Sequence, residues 1–394
     1  MTMTAHLALV PRDGLFCKDG RGWHTSASGR GHALEWPWPS TILGALRTAW
    51  GRSEEARGNT TFRPDDWRTR TAPIRLGRTL VLRRKHAGDW PVADTTWPVP
   101  LDALWLESRQ EVHRLEPVQP LAPTLGRDDD EARESLMRPV LDGVGKPLPP
   151  PRWWSSEDFS GWLAGRSVPV RVDTLAIARR VQVHVGIRPD ELTADEGVLF
   201  SHDVVETLDR DAEWAIGAEI VVPEGGIAGL VTLGSDARLA HVESLSAALF
   251  EPPARLLEAF RTPSRGLRVV AVTPLSFERG WLPDGFVANG DEFRGRLPGL
   301  DGELVLRAAF VPRPMHVSGW DMAAGVPKQT LRLVAPGAVY FFERVDGKTF
   351  GEADARPLWL AALGARTEQG FGRVVPGVWN RIANKSRDAR GAVA

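Results

Sequence analysis

Apolar and polar residues alternate along Arg180-Val-Gln-Val-His-Val185, placing Val181, Val183 and Val185 on one face of a strand and Gln182 and His184 on the other. Apolar runs predict further strands at His6–Val10, Gly197–Phe200, Ala215–Val222, Leu267–Val272, Leu304–Phe310, Ala338–Phe342 and Arg373–Trp379. Thr79–Arg83 and Trp97–Leu101 read as a hairpin whose base proline interrupts. The pattern changes to helical spacing at Ile42, Leu43, Ala45, Leu46 and Ala49, which predicts a helix capped by Ser40 and stopped by Gly51. Other helices are predicted near Glu157–Ala164 and over Ser244–Phe260, and a short one over Ala355–Leu363 with Pro357 in its first turn and Gly364 as its stop. Many strands and few helices imply an α+β chain of two domains with largely antiparallel sheets and long loop insertions. The division is expected near residue 175, giving 1–175 with a hairpin and the proline-rich Lys146–Arg152 insertion, 176–380, and a basic tail at 381–394.

The length of 394 residues fits two or three domains, and 42% hydrophobic with 25% charged residues is the composition of a soluble globular protein. No run of about 18 apolar residues suggests a membrane span, and the N-terminus has no signal-peptide pattern, so a cytoplasmic protein is expected. The lone Cys17 rules out a disulfide framework and a cysteine-built zinc site. Net charge is −1, but its distribution is uneven: Arg63–His86 carries eight basic residues against two acids, and Asp190–Glu224 carries eleven acids against Arg210. The first region suits phosphates and the second does not, unless both are simply solvated surfaces.

Between the short helix and the last strand lies Gly364-Ala-Arg-Thr-Glu-Gln-Gly-Phe-Gly372. Glycines remove Cβ and supply unusual dihedrals, so backbone N–H groups there can approach a phosphate or a ribose, with Arg366 and Arg373 adding charge. The alternative is a tight turn without a ligand. The loop runs from helix to strand, which excludes the Walker loop and the dinucleotide fingerprint. A second candidate is the helix start at Ser40 and Thr41, whose unpaired N–H groups suit an anion, preceded by a basic loop with Arg30 and followed by Arg47; simple capping is the alternative. A third is the loop Gly319–Tyr340 with Lys328 and Arg332. His24, His32 and His184 have no metal spacing and no companion nucleophile motif, and most of the sixteen tryptophans are expected to be packing.

Five segments in register resemble the third subunit of the Cmr complex, the type III-B CRISPR effector: Pro11–Arg21, Trp36–Arg47, Glu196–Phe200, Pro327–Gly337 and the glycine loop. The resemblance runs from about residue 5 to 380, departing at Gly234-Ser-Asp-Ala-Arg238, where relatives carry more glycine. It implies a RAMP-superfamily protein with two ferredoxin-like, RRM-related domains, no catalytic activity, and neither cofactor nor metal. Such subunits hold the 5′ handle of the CRISPR RNA and join the large polymerase-like subunit to the first backbone subunit, in antiviral defence and away from membranes. The implied RNA contacts are Ser40, Thr41 and Arg47, with Arg30 before them, and Gly364, Arg366, Thr367, Gln369, Gly370, Phe371, Gly372 and Arg373 in and after the loop. Lys328 and Arg332 are further candidates, and Arg83 and Arg84 would belong to a hairpin gripping the handle. The alternatives are a RAMP endoribonuclease that processes repeat RNA, the equivalent subunit of a type III-A (Csm) complex, and, more distantly, a carbohydrate-binding protein.

Overall fold

The computed structural model describes residues 2–18, 29–31, 33–85, 88–91, 95–107, 109–119, 131–140, 145–171, 175–208 and 212–380. His24, His32, His86 and the 381–394 tail lie outside them, as does the side chain of Arg30. The first half contributes β1 (Thr2–Pro11), α1 (Pro39–Gly58), α2 (Pro64–Thr71), β2 (Arg75–Arg84), β3 (Thr95–Pro98), β4 (Trp153–Ser155) and α3 (Ser156–Leu163). There follow β5 (Ala178–Ile187), β6 (Ala194–Glu206), β7 (Glu213–Pro223), β8 (Gly229–Thr232), β9 (Leu239–Ser244) and α4 (Ala254–Arg261). The remainder is β10 (Gly266–Ala271), β11 (Val287–Asn289), β12 (Glu292–Gly295), β13 (Leu304–Phe310), β14 (Val339–Arg344), α5 (Glu352–Leu358), β15 (Ala361–Ala362) and β16 (Arg373–Trp379).

Two seven-stranded sheets organise the chain, in the orders β4-β3-β2-β7-β1-β9-β8 and β11-β12-β13-β14-β10-β16-β15. All their pairings are antiparallel. The expected α+β class with antiparallel sheets and few helices therefore holds. The centre of the first sheet reads β2-β7-β1-β9 and that of the second β13-β14-β10-β16, so the two sheets share one strand order relative to the chain. In the first sheet α1 and α2 connect β1 to β2 and β8 lies between β7 and β9; in the second the β11–β12 hairpin lies between β10 and β13, and α5 connects β14 to β16.

The boundary near residue 175 does not follow the sheets. β7, β8 and β9 lie beyond it yet hydrogen-bond into the sheet founded by β1, with Leu9 opposite Ile216 and Val242. Periodicity reports which face of a strand is buried and carries no information about a partner 200 residues away.

β1 shows why the halves cohere. Leu7 and Leu9 face α1, packing with Ile42, Leu46 and Trp50, while Ala8 and Val10 belong to the large core that contains Leu267, Val269 and Phe341 of the second sheet. Both faces of the strand are buried, hence its uninterrupted apolar run.

Three predicted helices end elsewhere. α1 continues through Gly51 to Asn59, which closes it at φ 44°, because the absent Cβ of Gly51 makes room for the Trp67 ring of α2. The predicted Ser244–Phe260 helix is divided by Pro252 and Pro253 into a 3₁₀ turn at Ala247–Phe250 and α4. α5 starts early because Asp354 Oδ2 accepts the Gly351 N–H at 2.9 Å, so Pro357 falls in its last turn, and Leu360 at φ 55° follows.

Candidate nucleic-acid interface

The three candidate segments meet around Trp38. Trp38, immediately before α1, packs with Phe371 of the glycine loop and with Val317 and Leu333 of a small hairpin formed by Met315–Val317 and Leu331–Leu333. The loop crosses to the first sheet, where the Leu76 N–H donates to the Glu368 carbonyl at 2.9 Å. It is also bound to the second sheet's connection, Ala365 N–H donating to the Ser276 carbonyl at 2.8 Å and Gly372 N–H to that of Pro274 at 2.9 Å.

The glycines serve this docking and do not form the expected open cradle. Gly370 is buried at φ 87°, and a Cβ there would lie 2.7 Å from Leu76 Cδ2 and 3.1 Å from Pro39 Cβ. Gly372 and Gly364, at φ 82° and 80°, would direct a Cβ onto the carbonyl oxygens of Leu363 and Ser276. Phe371 is fully buried and cannot stack on a base. What the loop presents outward is its crown. Arg366 is exposed, at φ 61°, Thr367 and Gln369 are half-buried, and among the described residues no partner takes the N–H groups of Arg366, Thr367 or Glu368.

Two arginines support this crown from below. The half-buried Arg373 donates from Nη2 to the Thr367 carbonyl at 2.8 Å, and burial, reinforced by Arg78 and opposed by Glu219, lowers its pKa. Arg47 donates from Nε and Nη2 to the Ile74 carbonyl at 3.3 and 3.0 Å, fixing α1 to the turn before β2; its pKa falls through burial, opposed by Glu368. Neither is a free phosphate ligand. Ser40 is not the helix cap, since α1 begins at Pro39 behind Trp38, whose carbonyl accepts from Thr41 at 3.0 Å. The N–H of Ser40 has no partner among the described residues, and Ser40 and Thr41 are half-buried at the start of this 20-residue helix.

The hairpin supplies further charge. Lys328 and Arg332 are both exposed, with Arg332 opposite His316 in the ladder. Asp321 accepts from Arg68 of α2 at 3.3 Å and has a depressed pKa, chiefly through the Ala324 N–H. Two further residues lie in segments singled out from the sequence but were not named there as contacts. Arg75 is exposed beside Leu76, and Trp320, next to Asp321, is 54% exposed while eleven other tryptophans are buried. No local pattern distinguishes them; their place beside the site comes from long-range pairing.

Two residues of the basic Arg63–His86 region, Arg78 and Arg84, are instead neutralised by Glu219 and Glu213 of the acidic one. β2 lies inside the first sheet against β7. Arg84 is 7% exposed, donates to Glu213 at 2.7 Å and to Glu243 at 2.9 and 3.0 Å, and lies over Trp90. Arg78 donates to Glu219 at 2.5 Å, and Arg83 lies half-buried over Trp214. Arg84 is therefore committed to ion pairs inside the first sheet, where β2 pairs antiparallel with β3 as the expected hairpin strands. Both charge runs contribute partners to one ladder, a pairing invisible in a linear charge count.

His184 and His202 stack at 4.5 Å between Phe200 and Phe16. Burial, then the neighbouring His184, lowers the pKa of His202. Burial also pushes the Cys17 thiol up to about 12, which makes it unreactive. Gly234-Ser-Asp-Ala-Arg238 packs on the chain itself, with the Ser235 N–H donating to the Phe16 carbonyl at 2.8 Å and Asp236 and Ala237 at φ 60° and 49°. Among the described residues no three His, Cys, Asp or Glu side chains are grouped to hold a metal, and no helix is long and apolar enough to cross a membrane.

A profile of the family described as CRISPR-associated protein (Cas_Cmr3) matches residues 7–379. The chain belongs to this family. The expected kinship with the third Cmr subunit thus holds over nearly all of the sequence. Among solved structures, the chain is similar to one in type III-B Cmr-beta bound to cognate target RNA and AMPPnP, with 14% identity, a TM-score of 0.44, and coverage of 85% of this chain and 86% of that one. It is also similar to one in Cmr-beta bound to cognate target RNA, with 13% identity, a TM-score of 0.42 and the same coverage. No curated protein matches it.

Proposed function

We propose that the chain is a non-catalytic scaffold of a type III-B effector, holding the 5′ handle of the CRISPR RNA and joining the large polymerase-like subunit to the backbone filament. Its two sheets are taken as diverged ferredoxin-like units. One observation carries the RNA reading: the N–H groups of Arg366–Glu368, without a partner among the described residues, the start of α1 and the cations Arg366, Arg75, Lys328 and Arg332 are drawn together around the Trp38–Phe371 cluster. Unpaired N–H groups and arginines suit phosphate oxygens, and exposed Trp320 offers a face on which an unstacked base can lie. Affinity then comes mainly from phosphates, and discrimination from splayed bases and 2′-hydroxyls.

The endoribonuclease alternative loses support because His184, its one described histidine candidate, is stacked between Phe200 and His202. The test is purification of the tagged chain from its native cells, sequencing of bound RNA, and incubation of the isolated chain with repeat RNA. The proposal expects RNA sharing one repeat-derived 5′ end, co-purifying CRISPR subunits and no cleavage. Random RNA fragments, or cleavage of the repeat by the isolated chain, would contradict it.

A further inference from the structure

β5 and β6 form a long arm whose amphipathic pattern is turned inside out. The polar alternates of β5 face the body: Gln182 accepts from Arg238 Nη2 at 3.0 Å, and His184 joins the ring stack that ends on Phe16. The aliphatic alternates Val181, Val183, Val185 and Ile187 face outward at 48%, 65%, 45% and 53% exposure, and Leu199, paired with Val185, is 58% exposed. Paired residues of an antiparallel ladder share a face, so these side chains make one aliphatic surface. Apolar surface of this kind marks interaction sites. The small sheet is ordered β5, β6, Gly29–Gly31, so β5 also has an edge without a strand partner among the described residues.

Charge selects the class of partner. The arm's tip carries Asp190, Glu191, Asp195 and Glu196, and its one cation, Arg188, is paired with Glu191 at 3.1 Å. An acidic tip repels RNA and attracts Lys and Arg. We infer that the outward face of the β5–β6 arm docks another protein subunit, through an aliphatic patch on that subunit flanked by basic residues opposite the tip. The inference rests on reading the chain as a subunit of an assembled complex. It assigns one surface to one contact, separate from the RNA-facing crown.

The experiment places a benzophenone amino acid at position 183 and, separately, at 185 in the tagged full chain, co-expressed with the other subunits of its complex and irradiated after purification. Cross-links are expected on one protein subunit, in a peptide rich in aliphatic and basic residues. Replacing Val181, Val183, Val185 and Ile187 with Thr keeps β-branching and removes apolar surface. This variant should retain about tenfold less of that subunit, with an unchanged melting curve and unchanged handle-RNA affinity. Cross-links to RNA, to a second copy or to this chain's own residues 19–28 would overturn the inference, as would an assembled complex giving no cross-link or a Thr variant retaining every subunit. Failure of the unmodified tagged chain to capture any CRISPR subunit would instead strike the reading on which the inference rests.

Discussion

The N–H of Leu76 donates to the carbonyl of Glu368 at 2.9 Å, and the side chain of the same leucine fills the space where Gly370 has no Cβ. This contact fixes the glycine loop to the first sheet. Gly370→Ala should therefore lower stability by about 1–3 kcal/mol, through strain at φ 87° and the clash with Leu76. Denaturant unfolding checks this, and the Gly370→Ala/Leu76→Ala double variant should lose less than the sum of the two single losses. A Gly370→Ala protein of full stability and weakened RNA binding would return the glycine to the ligand face.

Arg84 provides a contrast between folding and binding. Its removal leaves Glu243 without its guanidinium and Glu213 with only the longer Arg12 contact at 3.5 Å, and Arg84→Ala is expected to cost about 3–5 kcal/mol of stability. The salt slope of RNA binding, measured on folded protein, should not change, because a buried ion-paired group releases no counterion from RNA.

The union of the two sheets includes a buried polar network. Arg268 of β10 donates to Asp102 at 2.6 Å, Trp162 Nε1 donates to the other carboxylate oxygen at 2.9 Å, and Arg114 lies over the Trp162 ring. Burial and the like charge of Arg268 push Arg114 down to about 9. Asp102→Asn leaves Arg268 charged without its counter-charge and should destabilise by about 3–5 kcal/mol. Asp102→Glu should do less harm. Calorimetry of both variants separates loss of charge from loss of packing.

Acid should loosen the base of the β5–β6 arm. The pKa of His202 is depressed by burial, then by His184 and Arg238, against the opposing pull of Asp236 and Asp203. The unfolded imidazole then takes up its proton at a higher pH than the folded one, so this stability is present above about pH 6.5 and is lost as pH falls below it. His202→Phe, which keeps the stack on Phe16, should flatten that dependence in melting curves recorded across pH 5–8.

Local pattern made some elements legible and left others hidden. β13 and β16 occupy the predicted residues because their apolar runs are bounded by turn residues. The extension of α1 depended on Trp67, a ring from another helix, and the first sheet depended on strands beyond residue 200. The three candidate segments were legible as special, and the structure brings them together at the Trp38–Phe371 cluster. Their roles were not. Phe371, Gly370 and Arg84 look like ligand groups in a linear reading and are buried by partners distant in sequence, whereas Arg75 and Trp320 carry no local signature.

The central claim is that the crown of the glycine loop and its neighbouring hairpin hold RNA phosphates, and a salt titration tests it most directly. Handle RNA is bound to the isolated chain across a range of salt, with and without Arg366→Ala, Lys328→Ala and Arg332→Ala combined. All three side chains are exposed, so the variant should fold normally. If each contacts one phosphate of a single strand, the magnitude of the log–log slope falls by about 2, with weakening at every RNA sequence alike. An unchanged slope and unchanged affinity in the folded triple variant would contradict the account.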